Sequence, residues 1–399
     1  MEECVKITRM TGLVALMAVG ALTLSACGSD NNATTSSTSA AATSAAGSAA
    51  SSATSGASSA GSAAAGAATF EGSGFSCADG SLRSSGSTAQ GKVMEQWIAD
   101  FNSMCSANLN AYGGGGSGKG VADFLANQVD FAGSDSALTA DQLATAKASR
   151  CAGNDALNLP MVTGPIALAY NLSGVQDLTL TPSVIAQIFN GKISNWNDPA
   201  IAAINPGVKL PDQAIKVFFR SDESGTTDNF TKYLSAAAPT DWTAAPGKKW
   251  TGKGEGKEKS AGVANAVKAT PGGITYAEWS YAKDNKLGIA QIDNGGGPVE
   301  LTGESAGKAV AAAKQVGVGN DVKLKLDYAT KEAGAYPILL VTYEIVCSKG
   351  TDPAKTKLLS TFLKSFAAAD MQTKLQDIGY APLPAEVQAK VNTAIAALS

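Results

Sequence analysis

The chain has 399 residues, with 31 Lys and Arg set against 34 Asp and Glu, for a formal net charge of −3. That balance argues against non-specific binding to nucleic acid. There is no histidine, which excludes His-based triads and removes the usual general base and the commonest metal ligand.

Lys6 and Arg9 precede an apolar run from Leu13 to Leu24. It is too short for a spanning helix and suits the core of a signal peptide. The run ends in Leu24-Ser25-Ala26-Cys27-Gly28, small residues before a cysteine. Residues 1–26 therefore read as a lipoprotein signal peptide, with cleavage leaving Cys27 to carry lipid on the extracytoplasmic face of the cell membrane. Glu2 and Glu3 are unusual so close to such a start. Residues 27–69 are almost entirely Ser, Ala, Thr and Gly, with no aromatic before Phe70. Such a segment buries too little apolar surface to offset its chain entropy and reads as a tether. The remaining residues exceed one typical core and predict two lobes. Past Cys27 stand Cys77, Cys105, Cys151 and Cys347, none in a Cys-x-x-Cys pair. An even number outside the cytoplasm predicts two disulfides rather than a zinc site.

Strands and helices then alternate. Ser81–Arg83 is a short strand running into Ser84-Ser85-Gly86-Ser87-Thr88-Ala89, and Val93, Met94, Trp97, Ile98 and Phe101 recur at helical spacing behind it. A second strand, Leu109–Tyr112, meets the glycine-rich stretch Gly113–Gly120, followed by a helix carrying Val121, Phe124 and Leu125. Gly113 to Lys119 fits G-x-x-x-x-G-K, but Gly120 stands where a nucleotide-binding loop needs Ser or Thr to hold magnesium. What remains is a loop whose backbone N–H groups suit an anion. A third strand, Val129–Asp135, closes on a carboxylate, which also fits the N-cap of a helix over Ala137–Ala146. Beyond Pro160 come an apolar run, Met161–Ala169, and a helix, Thr181–Phe189, with Pro182 in its first turn.

Phe219-Arg220-Ser221-Asp222-Glu223-Ser224-Gly225-Thr226-Thr227 is the most informative stretch. It ends an apolar run and opens a helix, so several N–H groups point one way and the helix dipole favours negative charge there. Ser224 and Thr226 add hydroxyl donors, and Arg220 adds a planar fork that matches a tetrahedral oxyanion. Tyr336–Val346 is a long apolar strand able to return to the first lobe, whose last helices are Ala354–Ala367 and Ala385–Leu398. The expected fold is α/β with two lobes, 70–163 with 336–399 and 164–335, hinged by two crossing segments.

From about Ser84 onward the chain resembles the PstS family, the phosphate-binding proteins of the phosphate-specific ABC importer, in its lipid-anchored actinobacterial form. The resemblance rests on Gly86-Ser87-Thr88, Gly116-Ser117-Gly118, Gly133-Ser134-Asp135, Ile188–Ile193, Asn205-Pro206-Gly207, Leu210-Pro211, Arg220–Thr226, Pro271–Tyr276 and Tyr336-Pro337-Ile338, in that order. It implies a type II-like periplasmic-binding-protein fold. It further implies phosphate contacts from Thr88, the Ala89 N–H, Ser117, Asp135 and Arg220, with Asp222 orienting the arginine and Ser224, Gly225 and Thr226 donating from a helix start. Lys119 stands where the family usually has a small residue. The implied partners are inorganic phosphate, the membrane permease subunits and their cytoplasmic ATPase. The chain itself is expected to be monomeric, without cofactor or metal, held to the membrane only by its lipid.

The chemistry of these residues agrees. A buried dianion must be fully hydrogen-bonded. Asp135 beside an anion makes sense only if the ligand has a proton to donate, which hydrogen phosphate has and sulfate at neutral pH lacks. The alternatives are a phosphate-ester hydrolase, for which Ser117 and Ser224 show no base partner, a binder of another oxyanion, and a surface adhesin with a degenerate site. For the cysteines, the lobe assignment predicts Cys105–Cys151 and Cys77–Cys347.

Overall fold

The computed structural model describes residues 77–105 and 107–399. The signal peptide, Cys27, the tether and the start of the first lobe before Cys77 lie outside the described residues. Eight strands form the path that positions the site: β1 Ser84–Gly86, β2 Gly113–Gly114, β3 Phe131–Ser134, β4 Ala156–Tyr170, β5 Lys216–Arg220, β6 Glu255–Lys257, β7 Gly273–Glu278 and β8 Leu339–Cys347. Their spatial order is β2-β1-β3-β8-β4-β7-β5-β6, with Gly288–Ile289 also paired to β4. β1 is parallel to both β2 and β3, and β5 is parallel to both β6 and β7. β8 and β4 run antiparallel to their neighbours and join the two parallel blocks.

β4 and β8 are buried along their whole length, which is why they read as unbroken apolar runs. β4 starts at Ala156, five residues ahead of the expected start. Pro160 interrupts its pairing: Tyr343 sits opposite Pro160 and Thr342 opposite Val162, so Met161 is the extra residue of a bulge. The apolar cores change over along both strands. One cluster takes Leu159, Met161, Val162 and Val341 with Trp97, Phe101 and Phe362. The other takes Ile166 to Tyr170 and Ile338 to Leu340 with Phe189, Trp196 and Phe230. The chain is thus a two-lobe α/β protein, and its crossings are the two central strands.

Helix α1, Gly91–Cys105, buries Val93, Met94, Trp97, Ile98 and Phe101, the face its spacing predicts. α2 spans Ser117–Leu125, α3 Gly225–Ala237 and α4 Lys259–Ala269. The helix expected over Ala137–Ala146 is instead Ala140–Thr145, capped by Thr139 in a capping box with Gln142 and continued by a π turn to Arg150. Asp135 is therefore not a helix cap.

The disulfide expectation is corrected. The bonds are Cys77–Cys105 and Cys151–Cys347, with Cα separations of 5.1 and 5.3 Å, not Cys77–Cys347 and Cys105–Cys151. Strand register is the reason. Ser81–Leu82 pairs in parallel with Asn108–Leu109, so the residue entering the first strand meets the end of α1. Cys347 pairs with Ala156, which brings it beside Cys151, just upstream of β4. The expected pairing was drawn from lobe assignment, which puts all four in one neighbourhood without deciding who meets whom; the ladder decides that. Cys151–Cys347 encloses the second core, apart from Ala89 and Ala381, within a separation of 196 residues.

Candidate functional site

Four helix starts converge where the two parallel blocks face each other. α1 and α2 belong to the first block, α3 and α4 to the second. Each presents the positive end of its dipole to the same place.

Asp135, just past β3, is the centre of the first half. It is wholly buried, and three hydroxyls donate to its carboxylate: Ser87 Oγ at 2.6 Å, Thr342 Oγ1 at 2.7 Å and Ser117 Oγ at 3.0 Å. Burial pushes its pKa up to about 6; the hydroxyls oppose that shift, and the nearby Glu278 adds to it.

Arg220, the last residue of β5, is the centre of the second half and is also buried. Nε and Nη2 donate to the two carboxylate oxygens of Asp222 at 2.7 and 2.5 Å, the bidentate geometry of a guanidinium–carboxylate pair. Nη1 points away from that pair, to Ser260 Oγ at 3.0 Å and Thr226 Oγ1 at 3.4 Å. Burial works against both charges, but the pairing prevails: Arg220 is raised above its ordinary value. Asp222, which also accepts the Lys259 N–H, is held below its own.

The halves touch. Thr88 Oγ1 lies 2.9 Å from Ser260 Oγ, and the Gly118 N–H donates to the Glu223 carbonyl at 3.0 Å. A Cβ on Gly225 would lie 2.4 Å from Ser117 Oγ and 2.5 Å from Asp135 Cβ, and one on Gly116 would lie 2.6 Å from Asp222 Oδ2. Glycine at these helix starts is what allows the approach. This is a closed cleft.

Of the residues expected from the sequence, Thr88, Ser117, Asp135, Arg220, Asp222, Gly225 and Thr226 come together here. Ala89 stands beside them, its N–H bonded to Ser87 Oγ at 3.0 Å. Ser224 caps α3, accepting the Thr227 N–H at 3.2 Å. Lys119 turns to Asp123, with which it pairs at 2.7 Å, and so leaves the cleft. Four residues went unforeseen: Ser87, Thr342, Ser260 and Glu278. Glu278 ends β7, is fully buried, and accepts from Thr226 Oγ1. Ser260 opens α4 directly behind Lys259, whose φ of 65° marks a sharp entry to the helix; a serine there was the available signal. A groove of about 1260 Å³ opens beside Asp135, lined also by Ser136, Asp228, Lys232, Lys248 and Tyr328.

So the cleft holds one buried fork, a set of uncharged donors and buried carboxylates, with Lys248 close enough to feel the charge of Asp135 from the groove. Donors and a guanidinium in this arrangement suit a small oxyanion. Comparison with known proteins bears on which. A family model described as a PBP superfamily domain matches residues 32–370. The phosphate-binding protein PstS3 of Mycobacterium bovis (strain BCG) is 42% identical over 401 residues, covering 99% of this chain and 100% of that protein. The chain belongs to the PstS family of phosphate-binding proteins. Its relative in Mycobacterium leprae, PstS 3, is 41% identical with the same coverage. The PstS of Xylella fastidiosa is 34% identical over 300 residues, 73% of this chain and 78% of that one. Among solved structures, the phosphate-bound periplasmic phosphate-binding protein PfluDING superposes with a TM-score of 0.66. It covers 79% of this chain and 93% of its own at 23% identity, a likeness of fold. The two-lobe architecture is that of the periplasmic binding proteins.

Proposed function

We propose that the chain captures inorganic phosphate between its lobes, outside the cytoplasm, and delivers it to an ABC importer. It is a transport component and not an enzyme. The observation that carries the reading is Asp135: a carboxylate buried among Ser87, Ser117 and Thr342, facing Gly225 at the start of α3. An acceptor in that place selects an oxyanion with a proton to give, and hydrogen phosphate is that ligand. Thr88, the Ala89 N–H, Ser117, Ser224, Gly225 and Thr226 supply donors, and Arg220 supplies the fork that Asp222 orients. The groove beside Asp135 is the path by which phosphate enters when the lobes part. The membrane permease subunits receive it, driven by the cytoplasmic ATPase, from a monomer held at the membrane by lipid on Cys27. Among the described residues no helix is long and apolar enough to cross a membrane.

Calorimetric titration of the unliganded protein tests this. One phosphate binds per chain, and sulfate gives no heat near neutral pH. Sulfate binding emerges as pH falls through about 6, where Asp135 takes up a proton and becomes a donor. Saturable sulfate binding at neutral pH, equal to that of phosphate, overturns the reading.

Gly225→Ala separates closure from folding. The added Cβ meets Ser117 Oγ and Asp135 across the cleft, not the interior of its own lobe. Overpacking of this kind costs about 1–3 kcal/mol, so phosphate affinity falls on the order of ten- to a hundredfold while the melting temperature stays near that of wild type. Unchanged affinity would mean that the two helix starts do not meet in the bound state.

A further inference from the structure

Behind Asp135 lies a second carboxyl that the oxyanion site leaves unused. Glu344 is two residues beyond Thr342 on β8, so both side chains leave the same face of the sheet. It sits opposite Gly133 of β3 and Leu159 of β4 and is wholly buried. The titratable and charged groups facing it are Asp135 and Tyr112, none a cation, and Gln90 lies within hydrogen-bonding reach of it. With Gln90 Nε2 turned to Tyr112, both Glu344 oxygens and Oε1 of Gln90 are left without a hydrogen-bond partner.

Ionised, Glu344 is an acceptor only, and three buried oxygens then go without a donor. Protonated, it donates to Gln90 Oε1. The rest of the chain of bonds is in place. Gln90 Nε2 donates to Tyr112 Oη at 3.1 Å, Tyr112 Oη donates to the Ser87 carbonyl at 3.1 Å, and Ser87 Oγ donates to Asp135 at 2.6 Å. Gly133 makes room for it: a Cβ there would lie 2.2 Å from Gln90 Nε2 and 2.4 Å from Tyr112 Oη.

We propose that Glu344 is a positioning residue of the phosphate site, working in its protonated form: it anchors the Gln90–Tyr112–Ser87 chain that aims the Ser87 hydroxyl at Asp135, and its ionisation weakens phosphate binding. Burial pushes Glu344 up to about 8, the Gln90 contact opposing and the charge of Asp135 adding. Ionisation removes the donor at the head of the chain and sets a second negative charge behind Asp135, close to the bound anion.

The inference rests on the phosphate reading, and its test keeps the two apart. Phosphate is titrated into wild type and Glu344→Gln at about pH 7 and about pH 9.5. The glutamine keeps the shape and can donate to Gln90 Oε1, but it cannot ionise. Wild type loses about tenfold more affinity over that interval than the variant, the factor that one pKa unit of coupling carries. The ligand's own titration is common to both and cancels. Identical pH profiles overturn the proposal. Infrared spectroscopy of the unliganded protein gives a second measurement. Wild type at neutral pH shows a protonated-carboxyl band that Glu344→Gln lacks and that fades as pH rises through about 8. Its absence from wild type overturns the proposal even where the variant fails to fold. A wild type that binds no phosphate sinks the functional reading and with it the positioning role, while the band still reports whether Glu344 is protonated.

Discussion

Arg220→Ala abolishes useful phosphate binding, lowering affinity by a factor on the order of 10²–10⁴. The guanidinium is the buried cation of the cleft, and three carboxylates, Asp135, Asp222 and Glu278, surround the place it serves. Without it the cavity is lined by negative charge that repels a dianion. Hydrogen bonds to charged groups contribute about 1.5–3 kcal/mol each, and a fork supplies two. Thr88→Ala removes one neutral hydroxyl at about 1 kcal/mol, so its loss stays nearer fivefold. Arg220→Lys keeps the charge as a point on a flexible stem and falls between the two. Stability also falls in Arg220→Ala, because Asp222 loses its bidentate partner and keeps backbone N–H donors such as that of Lys259; breaking a buried pair costs about 3–5 kcal/mol at most. Calorimetry at matched folded fraction separates the two effects. Affinity unchanged in folded Arg220→Ala would remove this loop from the site.

What the sequence showed of this cleft follows from what makes it. Backbone donors at helix starts need small residues before an amphipathic run, and Ser84–Ala89, Gly113–Gly120 and Ser224–Thr226 display that pattern openly. The amphipathic face of α1 is a local property, and all five residues its spacing picked out are buried, joined by Gly91 and Cys105. Contacts made across the sheet were hidden. Thr342 and Glu344 sit inside a strand buried on both faces, where apolar neighbours mask them. Their one signal was polarity at i and i+2, which places two groups that require partners on one face. Ser87 was overshadowed by Thr88 beside it, although its hydroxyl is the shortest of the three donors to Asp135. Ser260 lies on a fourth helix whose start carries no glycine run, and only the parallel pairing of β5 with β6 brings it to Arg220. The disulfides failed for the same reason: lobe membership constrains which cysteines share a neighbourhood, while register decides which pair touches.

Asp135→Asn should convert a phosphate-selective cleft into one that accepts both phosphate and sulfate. In wild type a fully deprotonated oxyanion meets the carboxylate with lone pairs on both sides and no proton between them. A site built around one required hydrogen bond rejects the analogue lacking it by roughly 10⁴–10⁵-fold. Asparagine keeps an oxygen for Ser87, Ser117 or Thr342 and turns an N–H₂ toward the ligand, so sulfate gains a donor where it met a repulsive acceptor. The phosphate-to-sulfate ratio should fall by at least about a hundredfold, mostly through sulfate binding more tightly, as one buried unpaired acceptor costs about 1–3 kcal/mol and more when charged. The sign of the pH dependence distinguishes this from general loosening. Wild type acquires sulfate binding as pH falls through about 6, whereas Asp135→Asn binds sulfate equally on both sides of that value. Stability follows the same linkage. The folded-state pKa of Asp135 lies above its unfolded value, so its contribution is fully present below the unfolded value and is lost as pH rises through about 6. The variant should therefore melt above wild type in mildly alkaline buffer and no higher near pH 4. A variant that rejects sulfate as completely as wild type across this range would show that Asp135 is not the acceptor of the ligand's proton.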